Sequence, residues 1–291
     1  MVELMYSMAG NGPSLTAIAI ADLVPPVLIP AGMARQGGML RARLMGKISS
    51  VITTPGTAIF TMFIGAMPWS PSHIYNVGDR VVADGNKTYT CIGPLPWAAN
   101  TAYTVAGVPN MVSNHGLTYH CNAAGTSGTA GGPTGTGAVI VDGVGTLRWD
   151  YQAGAPGLSH AATPPSGAAD CNDNCCQWAY TAAAAPFATS EAIDQVDNAA
   201  CNDVPWILEM DMVVRGATVL AMGSYQAYNL GKIITPWGSR RLIPAATPAA
   251  VAFNPEIHNY LRFCYTPTVD TNSITCMMYS VEGMEPMSMS W

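Results

Sequence analysis

Apolar and polar side chains alternate with a period of two through much of the chain, the signature of strands with one buried face. Over 57–64, Ala58, Phe60, Met62 and Ile64 fall on one face. Over 206–214, Trp206, Leu208, Met210, Met212 and Val214 share a face, and Glu209 and Asp211 point the other way. Over 259–265, Leu261, Phe263 and Tyr265 alternate with Tyr260, Arg262 and Cys264. Further strands are predicted at 39–44, 217–225 and 274–281. Turns such as Thr54-Pro55-Gly56-Thr57 and Pro236-Trp237-Gly238 separate them. Only 179–185 and 189–200 have room for a short helix, and Pro186 interrupts between them. Many short strands and almost no helix predict an all-β chain, with a jelly-roll-like β-sandwich as its main body.

The texture changes along the chain. Residues 1–66 and 177–291 are rich in Met, Ala, Ile and Pro, whereas 67–152 is rich in Gly, Thr, Asn and Tyr. Residues 153–176, with Gly154, Pro156, Pro164, Pro165 and Gly167, read as a linker. The middle repeats itself. Trp69, Tyr75 and Val77 recur as Trp97, Tyr103 and Val105, shifted by 28 residues, and Thr88-Tyr89-x-Cys91 recurs as Thr118-Tyr119-x-Cys121, shifted by 30. The turns Asp84-Gly85-Asn86 and Asn114-His115-Gly116 close a hairpin in each copy. The copies span 69–93 and 97–151, and the second alone continues through GTSGTAGGPTGTG (125–137) to a closing Trp149-Asp150-Tyr151 strand. The simplest organisation is a host domain, 1–66 plus 177–291, with a small Ig-like or carbohydrate-binding-module-like β module, 67–152, inserted at a loop tip and projecting from it.

Composition narrows the function. Charged residues are only 10% of the 291, against roughly 25% in ordinary soluble domains. Such a surface is expected to be covered by partners or by copies of itself. The net charge is −6, and no Lys/Arg block offers a nucleic-acid footprint. Arg35, Arg41, Arg43 and Lys47 are spaced as the polar face of strands. The apolar run near 15–31 is broken by Asp22, Pro25, Pro26 and Pro30, so no membrane insertion is expected. The N-terminus has no basic leader, which points to synthesis in a cytoplasm. For the eight cysteines, buried thiols, a local disulfide formed after release from the cell and a metal site around Cys171, Cys175 and Cys176 stay open, although no Cys-x2-Cys pair or nearby His completes a zinc set. Carboxylate pairs such as Glu209/Asp211 and Asp170/Asp173 are unremarked by any cleft signal, and no nucleophile elbow, His-x3-His or phosphate loop occurs. No catalytic residues, cofactor or metal are expected, and the chain reads as a non-enzyme. The end, Met284-Glu285-Pro286-Met287-Ser288-Met289-Ser290-Trp291, reads as a segment that docks on a neighbouring subunit.

The stretch from Gly46 to Thr57 (GKISSVITTPGT), with Met8–Thr16 (MAGNGPSLT), Trp206–Glu209, Arg215-Gly216 and Met222-Gly223, resembles virion structural proteins of tailed bacteriophages. The likeness covers most of 1–66 and about 205–281. It implies a jelly roll that coats the capsid as a decoration or cement protein, commonly a homotrimer, bound to the major capsid protein on the outer surface of the virion. The middle, through Trp97, Tyr103, Tyr119, the Gly/Thr stretch and Trp149-Asp150-Tyr151, is similar to small modules of phage tail and head-fibre proteins, and to carbohydrate-binding modules attached to chitinases. The first copy departs from that pattern, lacking its own Gly/Thr stretch and closing Trp-x-Tyr strand. Trp69, Tyr75, Trp97 and Tyr103 are the candidates for stacking on sugar rings, with surface glycans as the further partner. The competing reading makes these rings the core of a very small sandwich. A tail-fibre or receptor-binding protein recognising host-surface glycans is the alternative to the capsid role.

Overall fold

In a computed structural model the chain is all-β, with strands and turns and no helix among the described residues. The structure describes residues 2–9, 12, 14–50, 56–105, 110–142, 145–194, 201–229, 232–233, 241–244 and 250–284. The chain divides into two compact units, Met1–Gly65 with Ala185–Trp291, and Ala66–Ala184.

The discontinuous unit holds two sheets. One runs in the order Val2–Ala9, Ser273–Met284, Met39–Ser50, Cys201–Arg215, Thr218–Asn229, Lys232–Ile233, with short strands Ser14–Leu15, Arg241–Ile243 and Val251–Ala252 attached. The other runs Ala188–Thr189, Thr57–Gly65, Asn259–Pro267, Ala21–Asp22, joined by Val27–Ile29 and Ile193–Asp194. Both sheets line one core. Trp206, Leu208, Met210, Met212 and Val214 enter it from one side, and Ala58, Phe60, Met62, Leu261, Phe263 and Tyr265 from the other. This is the alternation read from the sequence. Phe60, Trp206 and Tyr225 pack ring to ring, with Phe60 and Tyr225 centroids 4.5 Å apart.

The outward face of the same strands carries charge. Register sets Arg41 beside Asp211 and Arg43 beside Glu209, and both pairs are ion pairs, as is Lys47 with Asp203. These are exposed pairs, each worth about 0–1 kcal/mol. A fully buried Leu, Met or Phe contributes about 1.5–3 kcal/mol, so the apolar face holds the sheet and the charged face keeps it wet. Gly46 is required by close approach: a Cβ there would lie 1.9 Å from the Thr275 carbonyl oxygen, beside the bulge at Cys276/Met278.

Ala66–Ala184 contains two five-stranded sheets of the same design. One is ordered Met67–Pro68, Arg80–Ala83, Lys87–Gly93, Cys176–Ala183, Cys171–Asp173, and the other Leu95–Pro96, Met111–Asn114, Leu117–Ala123, Arg148–Gln152, Ile140–Val141. In each, a two-residue strand lies parallel to the first arm of a hairpin, the second arm pairs with a Trp-x-Tyr strand, and a short strand forms the edge. Trp178 lies opposite Cys91 as Trp149 lies opposite Cys121, and Tyr180 opposite Tyr89 as Tyr151 opposite Tyr119. The first copy therefore has a closing strand, Trp178-Ala179-Tyr180. Its two halves are separated in sequence because the whole second copy is threaded between them.

Three expectations are corrected by this arrangement. Residues 153–176 are not a linker: Gly157 and Leu158 pair with Tyr75 and Ile74, and Cys171 and Cys176 join the first copy's core. The first copy does not end at residue 93, and residues 177–184 belong with it rather than with the host. No helix forms over 179–185, because Ala179–Ala183 pair with Lys87–Thr90. The second helix segment reaches strands at Ala188–Thr189 and Ile193–Asp194, and its remainder, 195–200, lies outside the described residues. Thr54 and Pro55 of the first predicted turn, the turn at 236–238 and residues 285–291 of the tail also lie outside them.

Candidate functional site

Each copy is organised around one buried carboxylate. In the second copy Asp142 Oδ2 accepts from Trp97 Nε1 at 2.7 Å and from Trp149 Nε1 at 2.9 Å, and Oδ1 accepts from the Gly128 amide at 3.1 Å. In the first, Asp173 Oδ2 accepts from Trp69 Nε1 at 2.8 Å and Oδ1 from the His160 amide at 2.7 Å. The Trp178 indole misses hydrogen-bonding geometry there, although its proximity still helps to hold the Asp173 carboxyl down. Burial outweighs these bonds and raises the Asp173 carboxyl above its ordinary range.

A second motif repeats with equal fidelity. Tyr75 OH donates to the Ser70 carbonyl and accepts from the Ser70 amide, and Tyr103 OH does the same with Ala98. Ser159 Oγ donates to the Ser70 carbonyl at 2.9 Å and accepts from the His73 amide, and Ser127 Oγ donates to the Ala98 carbonyl at 2.7 Å and accepts from the Thr101 amide. Tyr89 OH donates to Gly167 and Tyr119 OH to Gly135, and burial raises both phenols, Tyr89 to about 12. Tyr75 stands edge-on to Trp178 at 5.0 Å and 72°, and Tyr103 to Trp149 at 4.9 Å and 70°.

The four candidate glycan residues are thereby placed. Tyr75 and Tyr103 are buried, 3% and 7% exposed, with both their rings and their hydroxyls engaged inside. They offer no face to a sugar, and for them the core reading replaces the platform. Trp69 and Trp97 are half-buried, each tied by its indole N–H. Gly132 covers one face of Trp97, so closely that a Cβ there would sit 2.8 Å from Cδ2. Among the residues of Ala66–Ala184 whose burial is described, no Phe, Trp or Tyr side chain is exposed. The apolar groups that reach solvent in this unit are aliphatic: Ile74, Val77, Leu95, Val105, Val139 and Val141. Val77 and Val105 are repeat equivalents, and both are exposed.

The copies join through buried amides. Asn110 Oδ1 accepts from Gln177 Nε2, which also donates to Asn172 Oδ1 at 3.1 Å. Gln177 is fully buried and its Oε1 has no hydrogen-bond partner among the described residues. Sequence reasoning took Asp173 only as half of a carboxylate pair and missed the anchoring roles of Asp173, Asp142, Ser127 and Ser159. The usable signal was an Asp shortly before each Trp-x-Tyr, visible only once the second Trp-x-Tyr is assigned to the first copy. No cluster of three or more His, Cys, Asp or Glu with metal-binding geometry occurs among the described residues. The repeated polar groups pin loops to strands. No family model matches the sequence, and no curated protein matches it significantly.

Proposed function

We propose that the chain is a structural component of a tailed-phage virion, a capsid decoration protein whose host unit has a jelly-roll fold. The observation that carries this reading is the build of Ala66–Ala184, a compact double module of two nested copies spliced between the halves of an all-β host. Every repeated polar group in it serves to fix its shape. That is the economy of a rigid surface element, not of a catalyst.

In this reading the host unit binds the major capsid protein, forms trimers and covers junctions of the shell. The sparse charge, 10% of residues, suits surfaces that lie against other subunits. The double module faces outward, and its exposed aliphatic residues make weak contacts that many copies multiply. Sequence resemblance supports the capsid assignment, and the burial of Tyr75 and Tyr103 weighs against a glycan platform as the main role. Quantitative mass spectrometry of purified virions tests the proposal. Hundreds of copies, in a simple ratio to the major capsid protein, are expected. A handful of copies would move the chain to the tail, and none would remove it from the virion.

A further inference from the structure

The two copies differ at one chemically telling position. Trp149 is preceded two residues earlier by Leu147, which packs against Cys121 in the second copy's core. The corresponding residue of the first copy, two before Trp178, is Cys176, and it faces Cys91 in the same core cluster. Cys91 lies opposite Trp178 in the strand pairing, with a bulge at Gln177/Trp178 beside Cys176 in sequence. The two thiols share one small core cluster and both are buried, 1% and 0% exposed. Each also donates to a nearby carbonyl, Cys91 Sγ to Gly93 at 3.4 Å and Cys176 Sγ to Gly157 at 2.6 Å, while Cys264 bonds to Asp22 and Cys276 to the Met45 and Met278 carbonyls.

We infer that Cys91 and Cys176 are an oxidation site that closes to a disulfide when the protein meets a small peroxide, and that Cys121 is its unreactive twin. Contact with Cys176 lowers the Cys91 thiol below its usual range and pushes Cys176 up, so Cys91 is the nucleophile. Its thiolate attacks one peroxide oxygen. The O–O bond breaks, leaving a sulfenic acid on Cys91 and a hydroxide that takes up the proton Cys91 gave. The Cys176 sulfur then attacks the Cys91 sulfur, the S–O bond breaks, and hydroxide departs with the Cys176 proton as water. Two thiols and one peroxide become one disulfide and two waters, with the thiol electrons reducing the peroxide. Burial makes the reaction slow and confines it to an oxidant small enough to enter during local opening.

The consequence follows from topology. The bond would join the two halves of the first copy across the entire second copy, closing a long loop in the unfolded chain, where cross-links remove the most entropy. The test uses the full chain treated with hydrogen peroxide, then unfolded in an alkylating agent and mapped without reduction. A Cys91–Cys176 linked peptide is expected, with Cys121 still alkylated. The thermal midpoint should rise by roughly 10 °C. Cys176→Leu, the residue the second copy uses, should fold and lose both the link and the rise. Should that variant not fold, Cys91→Ser serves the same comparison. Both thiols remaining alkylatable, Cys176 linked to Cys171 or Cys175 instead, or Cys121 oxidised as fast as Cys91 would each overturn the inference.

Discussion

Asp142 takes three hydrogen bonds from three separate parts of its copy, while Asp173 takes two. Removing a buried acceptor leaves its donors unsatisfied, at about 1–3 kcal/mol each. Asp142→Ala should therefore destabilise more than Asp173→Ala, by at least about 1 kcal/mol, measured by denaturant unfolding; equal losses would mean that the extra bond from Trp149 adds nothing. Asp173 also has a pH signature. Burial raises its carboxyl, so the native state keeps a proton that the unfolded chain releases near the ordinary carboxylate pKa of about 4. Its contribution is full below that value and is lost as pH rises through the raised one. Asp84 and Asp150 run the other way. Lys87 lowers the first, and the Val139 amide with Asn122 lowers the second, so their contributions are lost on acidification. The stability gap between wild type and Asp173→Asn should accordingly widen as pH falls toward about 4 and narrow as it rises. A constant gap, or one of opposite slope, would show that Asp173 is not held up by burial.

Strands show how the same chemistry changes value with burial. Arg41, Arg43 and Lys47 sit on the wet face of Met39–Ser50, paired with acids on the neighbouring strand. Arg262, on Asn259–Pro267, is instead 9% exposed, pairs with Asp22 at 3.0 Å and lies 5.6 Å from the Phe63 ring. Asp211→Ala should cost under about 1 kcal/mol. Asp22→Ala removes a carboxylate that accepts from two nitrogens of a largely buried guanidinium and should cost more, about 1–3 kcal/mol. Thermal unfolding of the two variants decides it, and similar losses would mean that water reaches Arg262. The host strands were legible because alternation is local: Trp206 through Val214 announce their buried face within nine positions. The hairpins of both copies were legible for the same reason, through repeated Thr-Tyr-x-Cys. The closing strand of the first copy was not. Trp178 and Tyr180 pair with Cys91 and Tyr89 across an entire intervening module, and no local period reports a partner so distant. The Ala-rich run after Tyr180 then read as helix, because propensity is all that remains when the pairing partner is unseen. The burial of Tyr75 and Tyr103 was hidden for a different reason. A Trp or Tyr pattern marks large rings but not which way they face, and a domain this small needs its rings inside.

At the scale of the whole molecule the nesting itself makes a prediction. In the second copy the chain passes directly from Ala123 through Ala124 to Gly125, and Gly125 pairs with Tyr103. In the first copy the same passage runs from Gly93 to Gly157, which bonds to Tyr75, with the whole second copy in between. Gly157 lies so close to Tyr75 that a Cβ would meet its carbonyl oxygen at 2.2 Å, so the re-entry point is fixed by backbone packing. Replacing residues 94–156 by a single alanine should give the first copy the continuous path that the second already uses. Its pinned carboxylate, Tyr75–Trp178 contact and hairpin all come from residues that remain. What is lost is the buried amide junction with Asn110, and Gln177, Asn172 and their unpaired oxygen would be met by water instead. A domain of this size is marginal alone, but here both its ends stay anchored in the host chain. The shortened protein should therefore unfold cooperatively at a lower temperature than the full chain, with Trp69 and Trp178 still shielded from a fluorescence quencher. Quenching of those tryptophans as in the unfolded state would mean that the first copy depends on the second for its core. The module would then be a single interlocked body rather than one fold written twice.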